Sequence, residues 1–151
     1  MNKRTLILLK KGNYIALAKK LRGFGADLYN GYGGKLEEGE SIEEAAIREL
    51  QEECDVHAEI KNLQKVGVIN FYFIQKPEHD QQVHWFILKD FDGEPKGTEE
   101  MSEPNWYTKE SLPVEEMWDA DRVLVPKILS GDTIEGDVFF NESGCERIEL
   151  K

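Results

Sequence analysis

Basic side chains are few: 19 lysines and arginines stand against 30 aspartates and glutamates, for a formal charge of −11. Neutralising the phosphates of a polymer or an anionic bilayer needs a surplus of lysine and arginine on some face, so general binding to nucleic acid or to membranes is excluded. Cysteine is scarce as well. Cys54 and Cys145 lie far apart, and neither has a second cysteine or a histidine at metal-ligand spacing. A buried thiol, a strand residue near the C-terminus and a reducing, cytoplasmic location are expected. Long apolar runs are missing too, since the one in MNKRTLILLKK is too short for a signal peptide or a membrane span. No repeat, low-complexity tract or linker interrupts the chain. What is there, 151 residues with 40% hydrophobic content, suits one domain over 1–151, expected as a monomer, that buries roughly two thirds of its unfolded surface.

Thr5 to Leu9 and Tyr14 to Ala18 read as strands joined by KKGN, where Gly12 and Asn13 can adopt positive φ. Lys19 to Gly34 holds five glycines with Phe24, Tyr29 and Tyr32 between them, a long loop of the kind that serves a site. Ser41 and Glu44 form a capping box and start a helix that runs to about Cys54, with Ile42, Ala46 and Leu50 on a buried stripe widened by Ile47 and Cys54. Val66 to Ile74, Val83 to Leu88 and Asn105 to Thr108 read as further strands. Arg122 to Leu129 is apolar at helical spacing but limited by Pro126, and the C-terminal stretch reads as a hairpin turning at Asn141 to Gly144. The pattern is α+β, with helices on a mixed sheet.

The helix carries an unusual load. Glu49, Glu52 and Glu53 sit at i, i+3 and i+4 on one arc, with no lysine among them. Such like-charged neighbours cost a few tenths of a kcal/mol each. A solvated acidic face is one reading of three such residues. The other is a hard divalent cation, Mg²⁺ or Mn²⁺, because oxygen ligands without nitrogen or sulfur suit those ions.

The wider spacing separates the two readings. From Gly34 the order is glycine, five residues, Glu40, seven residues, Arg48, Glu49, Leu50, one residue, Glu52, Glu53, one residue, Asp55 and Val56. This resembles the Nudix box, which has glycine where Asp55 stands. Six specified polar or glycine positions match by chance roughly once in 10⁷ starts. Asp55 follows the helix end, where aspartate tolerates left-handed backbone at a cost of order 1 kcal/mol. The resemblance implies an αβα sandwich with the box as loop, helix and loop, and hydrolysis of a nucleoside diphosphate linked to another group. It implies Glu52 and Glu53 as principal metal carboxylates, Glu49 as a further ligand or as the base, the Gly34 carbonyl as a backbone ligand, and an Arg48–Glu40 pair orienting the helix. Lys20 and Arg22 could add positive charge near the phosphates.

RGFGADLYNGYGGKLEEGESIEE, KVGVINFYF, EEM and LPVEEMWDADR further resemble the MutT-homologue oxidised purine nucleoside triphosphatases, to about Pro126. That likeness implies a Mg²⁺-dependent pyrophosphohydrolase acting on small nucleotides such as 8-oxo-dGTP and releasing the monophosphate and pyrophosphate. By position it implies a base site from Asn30, Asp121, Trp118, Phe24 and Phe71, with Thr5, Phe73 and Met101 as further lining. The family has two adjacent aspartates after the tryptophan, whereas WDADR puts Ala120 in the first place and Asp119 one position early. Asp119 reaches the base only if it bends back into the pocket. A Nudix enzyme for ADP-ribose, a dinucleoside polyphosphate or plain dNTP is the near alternative, and a non-catalytic nucleotide- or metal-binding module the distant one.

Overall fold

The computed structural model describes residues 1–151. Its strands are β1 (Asn2–Lys11), β2 (Tyr14–Lys19), β3 (Tyr29–Asn30), β4 (Leu63–Phe73), β5 (Gln81–Leu88), β6 (Asn105–Tyr107), β7 (Ile134–Asn141) and β8 (Gly144–Leu150), and its α-helices are α1 (Ile42–Cys54) and α2 (Asp121–Leu129). β1, β5, β4, β7 and β8 lie side by side in that order. β1 runs parallel to β5 and β4 parallel to β7, while β4–β5 and β7–β8 are antiparallel, so the sheet is mixed. The run LILL explains the sandwich: both faces of a central strand must be covered for such a sequence to be stable. Leu6 and Leu8 face Val83, Trp85, Ile87 and the α2 residues Leu124, Val125 and Ile128. Ile7 and Leu9 face Ala46, Leu50 and Cys54 of α1.

β2 leaves β1 after two paired positions, Lys10 with Ile15 and Lys11 with Tyr14, and turns to pair with β6 and β3. The vacated edge of β1 is taken by the glycine-rich segment. Ile7 N–H donates to Tyr32 O at 2.6 Å, Tyr32 N–H returns a bond at 3.0 Å, and Thr5 N–H donates to Gly34 O at 2.9 Å. Only glycine fits this approach, because a Cβ on Gly33 would fall 1.9 Å from the Thr5 carbonyl oxygen. The expected long loop is thus partly strand, since β1 offers an edge whose backbone groups need partners.

α1 begins as the sequence predicts. Ser41 Oγ accepts from Glu44 N–H at 3.1 Å, and Glu44 Oε1 accepts from Ser41 N–H at 2.9 Å. Its buried side chains are Ala45, Ala46, Leu50, Glu53 and Cys54, so Ala45 and Glu53 widen the stripe and Ile47 stays half-exposed. The helix closes on Asp55, whose φ of 58° and ψ of 36° are left-handed. Replacing Asp55 by glycine is expected to raise stability by up to about 1 kcal/mol through relief of the Cβ strain, a gain of roughly 2–4 °C in Tm for this size, with the rate unchanged. Thermal melts check this; a lower Tm would mean that the exposed pairs of Asp55 with Lys96 (3.5 Å) and His57 (3.8 Å) outweigh the strain.

Three other expectations are corrected in detail. In the first hairpin only Gly12 takes positive φ, at 59°, the requirement of a turn with its left-handed residue first. β1, β4 and β5 begin earlier than their apolar runs, because neighbouring strands continue the ladder through polar residues. Pro126 lies inside α2, a nine-residue helix in which the missing N–H would have met the carbonyl of exposed Arg122. The C-terminal hairpin turns where expected, Asn141 Oδ1 accepting from Ser143 N–H at 2.8 Å. No helix is long and apolar enough to cross a membrane.

Candidate active site

Arg48 organises the start of the site. Its Nε and Nη2 grip both oxygens of Glu40 at 2.6 and 2.9 Å, Nη2 also reaches the Lys35 carbonyl, and Nη1 donates to Glu49 Oε1 at 3.0 Å and Glu52 Oε2 at 3.1 Å. A planar fork can hold the loop and helix together in this way where a lysine could not. The Arg48 guanidinium, together with the Glu37 N–H, holds the Glu40 carboxyl down to about 2.

Glu53 turns inward. It is 8% exposed, and its Oε1 accepts from Gly33 N–H at 2.8 Å. Burial pushes its carboxyl up to about 8, with repulsion from Glu49 adding to the rise and the Gly33 N–H opposing it. Burial raises Glu49 as well, against the pull of Arg48. Glu49, Glu52 and Glu53 border one polar depression with Thr98, Glu99 and Glu100, none of them hydrophobic. Glu100, in the stretch EEM, borders the depression without having been expected from the sequence. It is paired with Arg22, which lowers its carboxyl and takes that arginine away from the role of phosphate cation.

No three side chains of the histidine, cysteine, aspartate or glutamate type already converge at ligand spacing. The cause is local: Arg48 draws Glu49 and Glu52 towards itself while Gly33 holds Glu53. The donor set nevertheless fits a hard divalent cation, being all oxygen and partly desolvated. Gly34 presses against this group, since a Cβ there would meet Glu49 Cδ at 2.6 Å.

The buried Glu53 makes a prediction about pH. A carboxyl whose pKa is raised by folding stabilises the fold below its ordinary value of 4.5, and that contribution is lost as pH rises to about 8. Glu40 has the opposite sign, its contribution being present above 4.5 and lost as pH falls towards 2. In EDTA, stability is therefore expected to decline between about pH 5 and 8 by at most about 1.4 kcal/mol per pH unit for this one group. Glu53→Gln should flatten that slope. Urea unfolding at several pH values measures it, and equal slopes in both proteins would remove Glu53 as the source.

Beside the acidic depression opens a cavity of about 130 Å³. Thr5, Lys20, Asn30, Gly34, Glu53, Met101, Phe24, Phe71, Phe73, Trp118 and Asp121 are among the residues that line it. Phe73 and Phe140 stack at 5.1 Å, Trp118 meets Phe140 at 5.5 Å, and Phe24 meets Phe73 edge-on at 5.1 Å. Gly25 leaves room for Trp118, whose ring a Cβ would contact at 2.9 Å. Asn30 Oδ1 accepts from Gly31 N–H at 2.9 Å, which leaves its amide nitrogen free. Asp121, at the first turn of α2, is 4% exposed, and burial pushes its carboxyl up to about 7.

Asp119 is the correction. It does not line the cavity: its Oδ2 accepts from Cys145 N–H at 3.1 Å and its Oδ1 lies 3.4 Å from Arg122. The helix starts at Asp121, and a residue two positions earlier is carried round to the side of β8. Lys20 lines the cavity, but its Nζ donates to the Phe24 carbonyl at 2.7 Å.

The sequence reading missed Arg4, Gln81, Trp85 and Phe140 as lining residues, and His79, whose ring stacks on Phe24 at 3.9 Å. Gln81 Nε2 donates to the His79 carbonyl at 3.1 Å, and Trp85 Nε1 is buried with no partner.

A mixed sheet between two helices, with an acidic loop–helix–loop beside an aromatic slot, defines a class of hydrolase for phosphorylated compounds. A NUDIX domain profile matches residues 2–128, and the chain belongs to the NUDIX family. It is 38% identical over 138 residues to an oxidized purine nucleoside triphosphate hydrolase of Mus musculus, covering 91% of this chain and 86% of that protein. To a protein of the same description from Danio rerio it is 40% identical over 125 residues, covering 83% and 78%. The crystal structure of a mutator MutT protein from Bacillus halodurans superposes with a TM-score of 0.82 at 21% identity, covering 100% of this chain and 98% of that one, and so shares the fold.

Proposed function

We propose that residues 1–151 act as one Nudix hydrolase domain that cleaves oxidised purine nucleoside triphosphates, such as 8-oxo-dGTP, to the monophosphate and pyrophosphate. One observation carries the reading: the aromatic cavity with Asn30 and Asp121 shares Glu53 with the acidic depression. A base held in the first therefore delivers its phosphates to the second. A slot that sets aromatic rings beside fixed polar groups is what base recognition needs.

Mg²⁺, with Mn²⁺ as a substitute, would be held by Glu52, Glu53 and the Gly34 carbonyl, with Glu49 serving as a further ligand or as the base, and when bound it supplies positive charge to phosphate oxygens and acidifies water. Arg48 orients the helix through Glu40 and fixes Glu49 by Oε1. Glu49 Oε2 remains to take a proton from the attacking water, a task suited to a carboxyl whose proton affinity burial has increased. Phe24, Phe71, Phe73 and Trp118 exclude water from the base and hold its plane, while Asn30 and Asp121 read its edge. Reaction geometry is thus a matter of positioning more than of covalent chemistry. The setting expected is a monomer in the cytoplasm.

The test is a panel of 8-oxo-dGTP, 2-oxo-dATP, O6-methyl-dGTP and the four unmodified dNTPs with Mg²⁺, scored by pyrophosphate release. An oxidised purine should lead in kcat/KM by at least about tenfold. Preference for ADP-ribose or a dinucleoside polyphosphate, or release of phosphate alone, would overturn the reading.

A further inference from the structure

Four of the five arginines are accounted for by ion pairs: Arg22 with Glu100, Arg48 with glutamates of the box, Arg122 with Asp119 and Arg147 with Glu149. Arg4 has none. It is half-buried, lines the cavity, and feels the charges of Glu49 and Glu53 without bonding either. Its place on β1 explains this. Arg4 lies two residues before Leu6 on the same face of the strand, towards the cavity, and its backbone bridges to Lys35, next to Gly34. The guanidinium thus stands at the border between the cavity and the acidic depression.

The neighbouring cation does not fill that role alone. Lys20 is half-buried, its charge is disfavoured by burial and by Arg4, and one of its donors is spent on the Phe24 carbonyl. A guanidinium has five donors in a planar fork that matches two oxygens of one phosphate. A nucleotide running from the cavity to the acidic depression must pass its first phosphate across this border, beside Glu49 and Glu53. A cation without a protein partner has no other evident use there, since keeping one half-buried is costly.

We propose that Arg4 binds the phosphate attached directly to the nucleoside, pairing its fork with that group's non-bridging oxygens, and so positions the substrate between the base cavity and the carboxylates. This rests on the nucleotide reading given above. Calorimetric titration in EDTA with 8-oxo-dGMP and with 8-oxo-2′-deoxyguanosine separates the two ideas, because the probes differ only in that phosphate. Arg4→Gln should weaken the monophosphate about 10- to 100-fold, as expected for a lost charge-assisted pair, and leave the nucleoside within about twofold. Arg4→Lys, which keeps size and charge but loses the fork, should fall between parent and Arg4→Gln, and it carries the test if Arg4→Gln does not fold. With 8-oxo-dGTP and Mg²⁺, the loss should appear in KM more than in kcat. Equal weakening of both probes would make Arg4 merely structural and overturn the proposal, as would no weakening of either. A parent protein that binds neither probe would overturn the base-site reading and the proposal with it.

Discussion

Glu53→Gln is expected to lower kcat by at least about 100-fold at saturating Mg²⁺ while leaving the fold as stable or more so. The two effects separate because the residue has two jobs. Its Oε1 accepts from the Gly33 N–H, and a glutamine oxygen can do the same. Its charge is buried at a cost, which the variant removes, so the metal-free Tm near pH 8 should not fall. The same charge is what a divalent cation would need, and no other carboxylate lies both against Gly33 and on the border of the cavity. The measurements are a pyrophosphate-release rate over a Mg²⁺ series and a melt in EDTA. A variant that turns over at the parental rate would sink the metal assignment.

The second large effect is expected at Asp121. Asp121→Asn should cost about 1–3 kcal/mol in kcat/KM for the best purine substrate, roughly 5- to 150-fold, the range for spoiling a buried hydrogen-bonding partner. Asp119→Asn should cost less than about twofold, because Asp119 is engaged with Cys145 and Arg122 outside the cavity. The environment of Asp121 adds a pH signature. Burial holds its proton to about 7, so below that pH the carboxyl can donate to an oxo group or a ring nitrogen, and above it the carboxylate can only accept. Base preference in the parent should therefore change as pH crosses about 7. In Asp121→Asn it should not. Equal losses in the two variants would put Asp119 back in the site, and no loss at Asp121 would remove it as a reader of the base.

How far the sequence could be read follows from how each residue is brought to the site. The box lies on one helix and its two flanking loops, so the resemblance implies the Glu40–Arg48 pair and the helix end allows a left-handed turn at Asp55; both are found. Arg4, Gln81 and Trp85 reach the cavity by a different route. They depend on the parallel register of β1 with β5, which matches Arg4 to Val83 and Leu6 to Trp85, and no local pattern announces a pairing between strands some eighty residues apart. Asp119 lies outside the cavity for a third reason. WDADR leaves open where the helix begins, and a start at Asp121 decides which acid faces inward.

Phe140 carries a consequence for how such a protein can change over time. It touches Phe71, Phe73 and Trp118, yet it stands on β7, beyond residue 128, where the family match ends. The carboxylates proposed to do the chemistry and one wall of the slot proposed to choose the base are thus written in separate stretches of the chain. On the proposed function, drift in residues 134–141 can retune which damaged base is accepted without touching hydrolysis. Two lineages with identical boxes could then part company in diet while keeping the same teeth.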